Sequence, residues 1–163
     1  MAARKTRRKS SSRKRAPKDA IALLKADHKE VKTMVEQFNK SRSDSKKAEL
    51  AEKICAALEV HAEIEEELFY PAAREALKKN GDLIDEAEVE HTSLKELIAK
   101  IKGGSPGDDL WEAQVKVLGE YVNHHVKEEE GEIFPKVRKT SLDLEGIGEQ
   151  LAERKQQLQN DQA

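Results

Sequence analysis

From residue 20 onward, apolar residues recur at steps of three and four, the spacing of one helix face. The first such stripe runs Ile21, Leu24, His28, Val31, Val35, Phe38 and follows Asp19, whose side chain suits an N-cap. Residues 39–45 are polar and read as a loop. A second stripe runs Ala51, Ile54, Leu58, His61, Glu65, Leu68, Ala72, and Pro71 is expected to kink or nearly end its helix. Asn80-Gly81 marks the next turn. The third stripe is Ile84, Ala87, His91, Leu94, Ile98, closed by Gly103-Gly104. After Pro106-Gly107, Asp108 is expected to cap a fourth helix with the stripe Trp111, Val115, Leu118, Val122, His125, Glu129. Residues 142–158 suggest a weaker, short C-terminal helix, with Leu144, Ile147 and Leu151 on one side and Gly146 and Gly148 against it. Short loops between long helices make neighbours antiparallel, so the expected fold is all-α, an up-down four-helix bundle.

The stripes repeat. His28 and Val31 in the first half match His91 and Leu94 in the second. At an offset only one position longer, His61, Glu65 and Pro71 match His125, Glu129 and Pro135. The words before the prolines also agree, Leu68-Phe69-Tyr70 against Glu132-Ile133-Phe134. The bundle therefore reads as one helix pair duplicated about a pseudo-twofold axis.

Charge divides the chain differently. The formal net charge of −2 comes from 30 Lys/Arg and 32 Asp/Glu, but residues 1–19 hold nine of the basic residues and one acid, Asp19. The body, residues 20–163, is thus near −10. Residues 1–18 have no apolar side chain larger than Ala after Met1, cannot offset their ordering entropy by burial, and are expected to be a disordered basic tail. Such a tail can bind nucleic acid or another polyanion through counterion release, although no aromatic residue is interleaved for base stacking. Residues 19–140 would form the bundle and 141–163 a helical extension. No apolar run long enough for a membrane span and no signal peptide are present, so a cytoplasmic protein is expected. The single cysteine, Cys55, excludes an internal disulfide framework and reads as a buried small hydrophobe.

The informative anomaly is polar residues on the core face. Four of the five histidines and two glutamates occupy stripe positions, and a glutamate four residues after a histidine lies about 6 Å further along the same face. His124 is off the stripe and off the repeat and is expected to face solvent. Two buried carboxylates facing each other need positive charge between them, and no Lys or Arg shares their stripe positions. A bound cation supplies that charge and takes neutral imidazole as ligand. Six N/O donors on four helices can serve two ions of iron, manganese or zinc, with iron favoured.

The order His28, His61-x-x-x-Glu65, His91, His125-x-x-x-Glu129 resembles the hemerythrin-like family, the HHE cation-binding domain, over about residues 19–140. The resemblance implies a four-helix bundle holding two oxo- or hydroxo-bridged iron ions, with His28, His61, His91 and His125 as ligands and Glu65 and Glu129 as bridging ligands. Zinc or manganese are the less favoured occupants. Oxygen-carrying hemerythrins have a further histidine one turn from that on the third helix, whereas Lys95 and Ala87 stand four residues either side of His91 here. The departure turns expectation from reversible oxygen carriage toward binding or reaction of dioxygen, peroxide or nitric oxide. The alternative expectation is an iron- or oxygen-responsive sensor or interaction module with a polyanion-binding tail. Tyr121, four residues before His125, is expected near the core face, either as a packing residue whose hydroxyl reaches the backbone or solvent or as a hydroxyl for a vacant metal position.

Overall fold

The computed structural model describes residues 19–163; the basic segment expected to be a disordered tail lies outside them. Helix α1 spans Ala20–Lys40 and begins as expected, with the Asp19 carboxylate accepting from the Ala22 N–H at 2.8 Å. Helix α2 spans Asp44–Ile64 and runs through a π-helical turn, Glu65–Phe69, into α3, Tyr70–Leu77. A short 3-10 turn, Lys78–Asn80, and Gly81 lead into α4, Asp82–Lys102, which ends at Gly103. Helix α5 spans Trp111–Glu128 and runs through a second π turn, Glu129–Ile133, into α6, Phe134–Arg138. Helix α7 spans Leu144–Gln162.

The bundle is antiparallel, with α1 packed on α2 and α5, and α4 packed on α5 and α2. Two apolar clusters fill its ends. One gathers Ile21, Leu24, Phe69, Tyr70, Ile84 and Phe134; the other gathers Phe38, Ile54, Leu94, Ile98, Trp111 and Leu118. His28, His61, Glu65, His91, His125 and Glu129 are all buried yet belong to neither cluster. Cys55 is buried in the second cluster, where desolvation pushes its thiol up to about 11.

Three expectations are corrected. Pro71 neither ends nor breaks its helix. In the π turn the Tyr70 N–H reaches back five residues to the Glu65 carbonyl, so the register has already shifted before the ring that lacks an N–H. The same happens at Phe134 and Glu129, ahead of Pro135. The extra residue moves the buried face on by one, and Phe69 and Ala73 are buried where the stripe predicted Leu68 and Ala72.

Asp108 does not cap α5. Its carboxylate instead accepts from the Ser105 N–H at 2.9 Å, closing a turn, and α5 starts after Leu110.

The C-terminal helix is not short. At 19 residues it falls within the range of the four long bundle helices, 18 to 21, and it lies against α1 and α2. Leu151 is fully buried, worth about 2 kcal/mol of apolar transfer. Gly148 reads as a helix-weakening residue in sequence, but a Cβ there would stand 2.7 Å from the Ala20 nitrogen. The glycine is what lets α7 approach the start of α1. Arg154 on Glu67, at 2.8 and 3.1 Å, and Lys155 on Asp27 fix the rest of the helix.

Candidate metal centre

The four predicted histidines arrive at the middle of the bundle as two pairs. His28 Nε2 lies 3.1 Å from His61 Nε2, and His91 Nε2 lies 3.2 Å from His125 Nε2. Ligands at right angles on an ion with about 2.1 Å bonds sit about 3 Å apart, so each pair is spaced as adjacent ligands are. The two carboxylates lie between the pairs. Glu129 places Oε1 3.1 Å from His28 Nε2 and Oε2 3.3 Å from His125 Nε2, one oxygen toward each pair. Glu65 Oε1 is 2.6 Å from His61 Nε2 and 3.6 Å from His91 Nε2. Two overlapping donor groups result: His28, His61, Glu65, Glu129, and Glu65, His91, His125.

Behind each ring stands a carboxylate. Asp27 Oδ2 is 2.9 Å from His61 Nδ1, and Glu90 Oε1 is 3.2 Å from His125 Nδ1. Glu130 and Glu66 lie further off, 3.5 Å from His28 Nδ1 and 3.6 Å from His91 Nδ1. The arrangement obeys the repeat. The residue before the first histidine of each half serves the second, and the residue after each glutamate faces the first histidine of the other half. A carboxylate on Nδ1 fixes the tautomer that leaves Nε2 free to ligate.

The electrostatics fit a missing positive charge. Burial and the facing Glu129 carboxylate push Glu65 up to about 7. Burial disfavours protonating His61, yet Glu65 and Asp27 outweigh it and hold the ring up to about 10. His125 is likewise raised, against its burial, to about 11 by Glu129 and Glu90. Burial and the neighbouring His125 push His91 down to about 3. Without a cation, protons on His61 and His125 balance the carboxylates. That balance is incomplete: both oxygens of Glu65 and Oε1 of Glu129 are buried with no well-aligned hydrogen bond, although His61 Nε2 and His28 Nε2 stand close to them. Orphaned carboxylate oxygens between paired imidazole nitrogens are what a metal cation satisfies.

The hemerythrin HHE cation binding domain profile matches residues 19–137. The chain belongs to this family. It is similar to a hemerythrin HHE cation binding domain-containing protein from Mycobacterium kansasii, with a TM-score of 0.72, 25% identity and 88% of each chain covered. It is also 31% identical over 116 residues to a DNA nickase of Nostoc sp. (strain PCC 7120), a match covering 71% of this chain and 32% of that protein. The chain therefore spans about a third of the length of that relative.

The hydroxyl expected from Tyr121 is supplied instead by Tyr70, to which the sequence gave no role. Tyr121 is not at the centre; it is 47% exposed. A step of four residues turns about 400°, which carries it about 40° off the His125 direction, and Leu118 and Val122 hold the core face there instead. Tyr70 is fully buried at the centre. Its hydroxyl donates to Glu129 Oε2 at 2.7 Å and lies 3.2 Å from His91 Nε2 and 3.4 Å from His125 Nε2. Burial and the two carboxylates push that hydroxyl well above its usual range, so it keeps its proton. Its repeat mate is Phe134, which stacks on His28 at 6.0 Å, so the two halves of the site differ by one hydroxyl. The signal for Tyr70 was its place in the repeated pre-proline word, but only the π turn brings it onto the glutamate's face. His124 is exposed, as expected.

Proposed function

We propose that this HHE domain holds two iron ions and binds or reacts with a small oxidant, dioxygen, peroxide or nitric oxide. One observation carries the reading: two imidazole pairs flank two buried carboxylates, and Glu129 turns one oxygen toward each pair. His28 and His61 would hold one ion, His91 and His125 the other, with Glu65 and Glu129 shared between them. Tyr70 offers an additional oxygen donor on the His91–His125 side. An iron pair supplies one-electron chemistry toward small oxidants; zinc would not.

The protein's part is to orient and to exclude. Asp27 and Glu90 accept from His61 and His125 and hold their Nε2 atoms inward. The Tyr70 hydroxyl is a proton donor aimed at the shared carboxylate, within hydrogen-bond reach of any oxygen ligand on its side. Leu58, Leu94, Ile98 and Val122 wall a cavity of about 20 Å³ against the four histidines. The cavity is small, which suits a diatomic or a peroxide. Anaerobically reduced protein mixed with dioxygen, hydrogen peroxide or nitric oxide should change its visible absorption with at least one of them. No response to any of the three overturns the oxidant reading.

A second reading, an iron- or oxygen-responsive module whose basic segment engages nucleic acid, draws on the nine Lys/Arg of residues 1–18 and on the DNA nickase among the relatives. Gel shifts on random DNA at about 50 mM salt, lost on deleting residues 1–16, test it.

A further inference from the structure

The repeat places two matched clefts on opposite flanks of the bundle, one beside each carboxylate that orients a histidine. In the first half, Asp27, Glu30, Val31, Ala57 and Val60 line a cleft of about 230 Å³ together with three further residues of α1 and α2, Lys53 among them, and residues of α7. In the second half the mates of those five, Glu90, Ser93, Leu94, Tyr121 and His124, line a cleft of about 220 Å³. All five residues of the second cleft thus have mates in the first, at the same sequence offsets as the histidines of the centre.

What differs is the positive charge. In the first half Lys155 of α7 sets its ammonium against Asp27, on the oxygen that His61 does not use. In the second half the lining residues, among those described, all come from α4 and α5, and no lysine or arginine is among them. Two positions that are apolar in the first half carry residues able to ligate a metal in the second. His124 stands where the first half has Val60, and Glu128 where it has Ile64. His124 Nε2 lies 3.5 Å from Glu90 Oε2 and 3.3 Å from Glu128 Oε1, and the three ligand atoms fall within 4.8 Å of one another.

We propose that Glu90, His124 and Glu128 form a surface site for a divalent first-row metal ion, which takes the place that the Lys155 ammonium fills in the other half. The donor types decide between a metal and a docked lysine from another molecule. A neutral imidazole offers an ammonium one hydrogen-bond acceptor, but it is a preferred ligand for manganese, iron or zinc beside two carboxylates. His124 and Glu128 are one helical turn apart on α5, a spacing that puts both on the same side, while Glu90 comes from α4. The site is open to solvent and accepts ions directly. It also touches the buried centre: Glu90 uses Oε2 toward His124 and keeps Oε1 on His125 Nδ1, so one carboxylate joins the two sites.

The test uses the full chain with its buried centre loaded, freed of excess metal and analysed for metal content. Titration with Mn2+, following the free ion by its paramagnetic resonance, should show one further equivalent taken up by the wild type. His124→Val, which restores the residue of the first half, and Glu128→Gln should each lose that equivalent while keeping the starting metal content and melting temperature. Both positions are on the surface, so either variant serves if the other fails to accumulate. Absence of the extra equivalent in the wild type, or its persistence in both variants, overturns the proposal. The starting metal content reports on the buried centre separately, so a failure there is not mistaken for a failure here.

Discussion

The Tyr70 hydroxyl donates a 2.7 Å hydrogen bond to Glu129 Oε2, joining the first half of the repeat to the buried carboxylate of the second. Its mate in the other half is Phe134, so the site already accommodates a ring without the hydroxyl at the equivalent place. Tyr70→Phe should therefore fold, with stability lowered by about 1 kcal/mol for a lost buried hydrogen bond. The visible spectrum of the metal-loaded protein and its rate of reaction with peroxide should both change. Tyr121→Phe, at an exposed position, should alter neither and shift stability by less than about 0.5 kcal/mol. Parallel spectra and melts of the two variants check this.

Asp27 and Glu90 should matter as much as some of the ligands they orient. Asp27→Asn and Glu90→Gln keep the side-chain size but take the anionic acceptor from His61 and His125. Each should weaken metal binding at the centre about 10- to 100-fold, the usual cost of losing such a partner. Competition with a chromophoric chelator reads the affinity, and wild-type values in both variants would remove these carboxylates from the site.

Metal binding should release protons. In the absence of a cation the rings of His61 and His125 are raised to about 10 and about 11, so both carry a proton at neutral pH. A metal ion needs their Nε2 lone pairs and displaces those protons, and Glu65, raised to about 7, adds a fraction of another. The sign follows. Apparent affinity should rise with pH between about pH 6 and about pH 9, because each step upward lowers the cost of removing the protons. Calorimetric titration in buffers of different ionisation enthalpy counts them, and a heat independent of buffer would contradict the assignment.

How much of this could be read from the chain is best judged by residue. His28, His61, His91, His125, Glu65 and Glu129 were legible because a polar residue on an apolar stripe is an anomaly, and the repeat showed it twice. Asp27, Glu90, Glu66 and Glu130 were not. Each is the chain neighbour of one of those six, and a charged residue beside the stripe looks the same whether it meets solvent or an imidazole. Tyr70 was hidden by geometry: steps of three and four assume an α-helix throughout, and the π turns at Glu65 and Glu129 add a residue at the point where the site is built. The docking of α7 was hidden because Gly148 argues against a helix locally, while its small size serves a contact with Ala20, near the other end of the described chain.

The central claim is that the two imidazole pairs and the two carboxylates between them hold an iron pair. Metal analysis of the protein purified in air, with its absorption spectrum recorded on the same sample, tests it most directly. The account predicts two irons per chain with charge-transfer bands in the near-ultraviolet and visible, both lost together in His61→Ala and in His125→Ala. Two zinc ions per chain and a featureless visible spectrum would contradict it.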